Sequence, residues 1–393
     1  MIFRSAVRRC VLTRSLPCVC SARAAERNVV WPLAAVILSV LCSSRMAAAQ
    51  TVETVAGNYE NAHRGDGGPA LRASVAQTFG VVTGPDEALY VCEVGTHVIR
   101  RVDSQTGLIT TVVGTGQQGY SGNGEQATAA RLNEPYEVRF AGNGDMYFVE
   151  MKNHIVRCVD RRTGVIRLVA GTGEPGFSGD GGPASKAQLQ RPHSIALDND
   201  GNLYICDIGN HRIRRVVLAT GLIDTFAGTG EKRPTPDGSP FAGTPLNGPR
   251  ALDFDGQHGL VLALREGNAI YRMDLQSQTY QHVAGTGRKG YSGDGGPAIR
   301  ARLSGPKGVA LAADGDIYFA DTESHTVRVV RAATGRIETV IGDGQRGNGP
   351  DGAPQNCRLN RPHGVCLDAD GRIYVGDTNN HCVRRLTPAA AAR

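Results

Sequence analysis

From Thr51 onward the chain alternates short apolar runs with turn residues. In one stretch Gly308-Val309-Ala310-Leu311 runs to Asp314-Gly315, and Ile317-Tyr318-Phe319-Ala320 follows. Thr326-Val327-Arg328-Val329-Val330, a Thr334-Gly335 turn and Ile337-Glu338-Thr339-Val340-Ile341 complete it. Short β-branched and aromatic runs bounded by Asp-Gly and Thr-Gly predict four antiparallel strands, a to d in chain order. A helical repeat would need a 3.6-residue apolar period, which the stretch lacks.

The same unit recurs. Gly57, Gly114, Gly171, Gly228, Gly285 and Gly342 stand 57 residues apart, and Asp66, Asn123, Asp180, Asp237, Asp294 and Asp351 keep that step. A third column, Tyr90, Tyr147, Tyr204, Val261, Tyr318 and Tyr374, keeps it until a one-residue deletion near Gln355. Four strands repeated six times predict an all-β fold, a six-bladed β-propeller of four-stranded antiparallel blades. Val52–Gly57 falls in the strand-d column, whereas the last unit stops after strand c at Arg384-Arg385-Leu386. The N-terminal strand is therefore expected to complete the sixth blade and leave no open ring edge. One domain over residues 50–388 follows, with the Pro-Ala-rich end, 389–393, as a frayed tail.

Residues 1–49 read differently. Arginines at 4, 8, 9, 14, 23 and 27 precede an apolar run from Val29 to Leu41 and an Ala47-Ala48-Ala49 exit. A basic region, an apolar region of about 13 residues and small residues at the exit predict a signal peptide. The protein is expected to be exported to a periplasmic or extracellular location, with an uncleaved membrane anchor as the alternative. No later run is long enough to span a membrane. Charge supports the division: the leader holds seven of the 43 basic residues and one of the 37 acids, leaving 36 of each in the body. A neutral body argues against a phosphate-backbone binder, so no nucleic-acid partner is expected.

RPHSIALDNDGNLYICDIGNHRIRRV (191–216) and RPHGVCLDADGRIYVGDTNNHCVRRL (361–386) resemble NHL repeats. GYSGDGGPA (290–298) resembles the long-loop version of exported bacterial propellers. The resemblance covers residues 51–388 and implies the fold strongly. It implies function only broadly, since NHL-type propellers include interaction platforms, sensor domains, RNA-binding modules and a metal-dependent peptide-amidating lyase.

In a repeat protein a residue kept in every unit builds the unit, and exceptions are the candidates for function. The Asn-His pairs at 153–154, 210–211 and 380–381, with Thr96-His97 and Ser324-His325, lie one per blade and too far apart to share a metal. The Asp-Gly-Gly-Pro-Ala loops at 66–70, 180–184 and 294–298 read as turns leading into short helical turns that bury Val75, Leu132, Leu189, Leu246, Leu303 and Leu359. Calcium would require more carboxylates than each loop carries. The strand-c arginines 100, 157, 214, 328 and 384 are expected to be solvated or paired with acids of the neighbouring blade.

The broken column is the one after the proline: Phe79, Tyr136, His193, Arg250, Lys307 and His363. Its successor reads Gly80, Glu137, Ser194, Ala251, Gly308 and Gly364, with one carboxylate among small residues. Both columns open strand a, which lines the central channel, so they are expected to meet at its mouth on the long-loop face. Tyr136, His193, Arg250, Lys307 and His363 are the candidate ligand-binding residues, suited to a peptide, a protein or a small anionic ligand. The lyase resemblance implies zinc-binding histidines at the Pro-His positions; His193 and His363 match and a third does not. The alternative function is therefore a metal-dependent lactonase-like or lyase-like enzyme, with a divalent ion, zinc or calcium, on His193 and His363 and Glu137 as catalytic group. The leading expectation is a monomeric, non-catalytic binding module. An adhesion role stands third.

The fourth unit departs furthest, with Leu264-Arg265-Glu266-Gly267-Asn268 in place of the Asp-x-x-Asn-His loop. Cys92, Cys158, Cys206, Cys357, Cys366 and Cys382 are expected to be buried thiols, with Cys366 and Cys382 as the one candidate disulfide.

Overall fold

The computed structural model describes residues 50–388; the leader and tail readings fall outside them. Six antiparallel sheets succeed one another along the chain. Blade 1 runs from Thr78–Thr83 to Ile109–Val113, blade 2 from Pro135–Phe140 to Ile166–Ala170, and blade 3 from Pro192–Leu197 to Leu222–Ala227. Blade 4 runs from Pro249–Phe254 to Thr279–Ala284 and blade 5 from Pro306–Leu311 to Ile337–Ile341. Blade 6 takes strands a to c from Val365–Leu367, Ile373–Asp377 and Cys382–Thr387, and its outer strand from Thr51–Ala56. Thr51 pairs with Thr387, Val52 with Leu386 and Glu53 with Arg385, so the two ends of the domain close the ring.

Apolar side chains alternate along each strand and fill the wedge between blades, as the inter-blade cluster of Val149, Val156, Leu189, Ile195, Ile205 and Ile223 shows. The Pro-Ala motifs open single 3-10 turns at Ala70–Arg72, Ala184–Lys186 and Ala298–Arg300, and Val75, Leu189 and Leu303 are fully buried beside them; Leu132, Leu246 and Leu359 are buried at the same position of the other units.

The strand-c arginines are not solvated. Arg100, Arg157, Arg214, Arg328 and Arg384 are each 0% exposed. Each guanidinium reaches an acid at the end of its own strand b, as Arg100 does with Glu93 at 3.3 Å and Arg157 with Glu150 at 3.2 Å. Each also takes the polar residue of the preceding long loop: Arg328 donates to Asp294 at 2.6 Å and Arg214 to Asp180 at 2.5 Å. The loop aspartates thus face an arginine of their own blade, which fixes the long loop to the sheet.

The six cysteines among the described residues are all buried thiols. Cys366 and Cys382 do not pair, because strand b stands between them: Cys366 lies opposite Tyr374 and Cys382 opposite Asp377.

Candidate functional site at the channel mouth

The Asn-His positions turn out to join blades. Each histidine closes the b–c turn with a left-handed backbone, φ between 52° and 58° at His97, His154, His211, His325 and His381. Its Nδ1 accepts the backbone N–H of the residue that leads into the next blade: Glu134 from His97, Arg191 from His154, Gly248 from His211, Arg361 from His325 and Gln77 from His381, at 2.9 to 3.2 Å. In blade 4 Asn268 does the same with Oδ1, 3.0 Å from Gly305 N. The receiving residue is left-handed too, and the chain then turns down into strand a. Two residues further on stands the mouth side chain, so these six hydrogen bonds aim the mouth.

The structure brings the whole column together. Phe79 packs on His363 with ring centroids 3.9 Å apart and on Tyr136 at 4.5 Å, and Tyr136 packs on His193 at 4.5 Å. Arg250 donates to the Tyr136 hydroxyl at 2.8 Å across the opening, and Lys307 Nζ lies 3.0 Å from His363 Nε2. His193, Arg250, Lys307 and His363 are all buried, and the space between them is ≈ 20 Å³, room for one water. Glycine in the next column is what lets strands a converge so far: a Cβ at Gly308 would collide with the carbonyl oxygen of His363, and one at Gly364 with that of Phe79.

Burial and nearby cations set the electrostatics. Desolvation, then Arg250, holds His193 well below the usual imidazole range; desolvation, then Lys307, does so for His363. Burial with Arg250 beside it brings the Lys307 amine down to about 6. Lys307 and Arg361 share Glu323, at 3.4 and 2.8 Å. Arg250 has no carboxylate within 4.0 Å among the described residues; its polar partner is the Tyr136 phenol.

The NHL repeat family matches at residues 189–216 and 359–386, and the Teneurin NHL domain at 268–350, on the units that form blades 3 to 6. The chain is an NHL-repeat propeller. It is 28% identical over 299 residues to the chloroplastic protein SUPPRESSOR OF QUENCHING 1 of Arabidopsis thaliana, covering 71% of this chain and 27% of that protein. It is 26% identical over 329 residues to NHL repeat-containing protein 2 of Gallus gallus, covering 76% and 45%. The chain thus spans between a quarter and a half of these relatives. An auxiliary nutrient binding protein from Bacteroides ovatus superposes with a TM-score of 0.63 at 20% identity, over 86% of this chain and 77% of that one, a likeness of fold alone.

In this NHL propeller Glu137 lines the mouth with the ligand candidates but is held by partners of its own. Its Oε1 forms an ion pair with Arg139 Nη2 at 2.7 Å and accepts from Ser194 Oγ at 2.9 Å, and burial pushes its carboxyl up to about 7. Arg139 spans the channel below the mouth, donating to the Leu252 carbonyl at 3.3 Å and lying 4.0 Å from Asp253. Sequence reasoning missed Arg139 and Asp253. The signal was present two columns beyond that of Glu137, where Val82, Arg139, Ala196, Asp253, Ala310 and Cys366 break the repeat with opposite charges on blades 2 and 4.

The donor set does not fit a divalent ion in this arrangement. His193 and His363 come from opposite blades, and His363 Nε2 already accepts from Lys307. Glu137 is engaged by Arg139, and no group of three His, Cys, Asp or Glu side chains converges among the described residues. Those residues also include no helix long and apolar enough to cross a membrane.

Proposed function

We propose that this NHL propeller is a binding module whose long-loop face takes an anionic group, a carboxylate or phosphate of a small ligand or acidic peptide, at the channel mouth. The observation that carries the reading is Arg250, a guanidinium 6% exposed and facing a phenol where the structural arginines face acids. A buried charge without a counter-charge is costly, and an arriving anion supplies the missing partner in bidentate geometry. Burial first, and then the positive potential of the mouth, to which Arg265 adds at His193 and Arg361 at His363, holds both mouth imidazoles neutral. Because the ring closes on itself, a ligand larger than water must displace the Tyr136 hydroxyl from Arg250.

Calorimetric titration with citrate, inorganic phosphate and a polyglutamate peptide tests the reading. At least one is expected to bind saturably, with affinity falling as salt rises and weakened about tenfold or more in Arg250→Gln. No saturable binding by any of the three, or an unchanged affinity in the variant, overturns it.

A further inference from the structure

The long loops carry their charge unevenly. Residues 285–305, which lead into blade 5, hold Arg288, Lys289, Arg300 and Arg302 against one acid, Asp294; residues 342–364, which lead into blade 6, hold Arg346, Arg358 and Arg361 against Asp343 and Asp351. Each of these acids is already taken. Asp294 accepts from Arg328 at 2.6 Å, Asp343 from Arg358 at 2.9 Å and Asp351 from Arg384 at 2.7 Å, while Glu323 of the adjoining b–c turn takes Arg361. Arg288, Lys289, Arg300, Arg302 and Arg346 are left exposed, with no carboxylate within 4.0 Å among the described residues. The repeat does not require them: the column of Arg288 reads Glu60, Gln117, Glu174 and Glu231 in the earlier loops and Gln345 in the last, so its sign reverses once.

The two loops form one surface. A Cβ on Gly344 would collide with the Tyr291 ring, so the first loop rests on the second just before Arg346. Arg302 lies over Gly290, beside Lys289, where an added Cβ would meet its side chain at 3.0 Å. The surface is also bounded. The loop on one side carries Glu231 and Asp237, and the loop on the other Glu60 and Asp66. A continuous phosphate backbone would run from the cations onto these acids. Bases would find one ring to stack on, Tyr291, which already has the Arg328 guanidinium over it at 5.2 Å.

We propose that the loops leading into blades 5 and 6 form a docking surface for an acidic polypeptide segment, a short run of glutamate or aspartate side chains on a partner protein. Each exposed ion pair is weak alone, so affinity comes from several cations engaged together, and the five free ones supply them. Charge complementarity of this kind speeds the encounter and selects the partner. The surface lies on the rim, outside the opening that Arg250 lines, so it goes beyond the reading of the mouth and does not depend on it.

Fluorescence anisotropy with a labelled glutamate-rich peptide tests it on the full chain, with oligothymidylate and phosphatidylserine vesicles as competing polyanions. The peptide is expected to bind saturably, less tightly as salt rises, and about tenfold or more weakly in Arg288→Glu/Lys289→Glu/Arg346→Glu. Arg131→Glu/Lys152→Glu/Lys186→Glu makes the same change of net charge on the opposite side of the ring and should bind as the parent does. All six side chains are exposed, so both variants should melt with the parent. The tenfold loss is expected in an Arg250→Gln background as well, because distant sites act additively, so the rim stands or falls whatever the mouth does. The proposal is overturned if the blade 5 and 6 variant keeps the parent's affinity, if the control variant loses as much, or if oligothymidylate or the vesicles bind more tightly than the peptide.

Discussion

His211 Nδ1 accepts the backbone N–H of Gly248 at 3.2 Å, a buried hydrogen bond that ties the b–c turn of blade 3 to the entrance of blade 4. Equivalent bonds stand at the other five blade junctions, and the residue they hold comes two positions before each mouth side chain. A feature repeated for structure therefore sets the geometry of the variable ring.

His211→Ala is expected to cost about 2 to 3 kcal/mol: a buried donor is left unmade, and alanine is forced into a left-handed conformation. His211→Asn should be close to neutral, because Asn268 performs the same task in blade 4 and asparagine tolerates positive φ. Urea denaturation of both variants at neutral pH separates them. Equal losses would show that the imidazole ring's packing, and not its acceptor, matters.

The same pair predicts a pH effect. Burial lowers the His211 pKa from its ordinary 6.5, so the unfolded chain takes up the proton first as pH falls. Its contribution is complete above 6.5 and is lost as pH drops toward the folded value. Asparagine does not titrate, so His211→Asn is expected to lose less stability than the parent between neutral pH and mild acid. Comparing the two proteins cancels the buried carboxyls they share. Parallel stability curves would mean that the ring is not selectively held neutral in the folded state.

Removing residues 51–56 exposes the backbone edge of Cys382–Thr387 and breaks the Glu53–Arg385 ion pair and the bond from Arg384 to Thr54 Oγ1. An unpaired edge in a closed ring invites pairing with other chains. The truncated protein is expected to aggregate on sedimentation and to melt well below the parent, not merely to fray. A monomer with the parent's melting temperature would show that the ring holds without its closing strand.

How much of this was legible follows from what a repeat does and does not encode. The 57-residue step and the phase of Val52–Gly57 were enough for six blades and their closure, because the period counts blades and the missing strand has one place to go. The mouth column was legible as a break in the repeat, and its six members do converge. The strand-c arginines were misjudged because charge on an alternating strand suggests solvent. Their acids lie seven positions earlier in the same hairpin and thirty-three or thirty-four earlier in the long loop, as with Arg328, Asp321 and Asp294. The histidine staples were hidden for a related reason: the acceptor is a side chain and the donor is backbone, which leaves no second residue type to find. Glu137 does line the mouth, as its column implies; its ion pair with Arg139 was not legible because the partner stands two positions further along the same strand.

Arg139 supplies the last prediction, since it alone stands between Glu137 and Asp253 in the channel. In Arg139→Met both carboxyls lose their cation, and the Glu137 carboxyl, which burial already pushes to about 7, rises further. A folded pKa above the unfolded one favours the folded state while the group is protonated and loses that benefit as pH rises through the folded value. The variant should therefore be only mildly destabilised in weak acid and fall progressively behind the parent above neutral pH, by about 3 kcal/mol or more for uncompensated buried charge. Urea midpoints measured across that range, with Arg139→Met/Glu137→Gln alongside, check the assignment. The double variant should recover most of the alkaline loss if Glu137 is a structural partner of Arg139. An equal deficit at all pH values, unrelieved by the second substitution, would instead mean that the loss comes from packing in the channel, and Glu137 would return to consideration as a group serving the mouth.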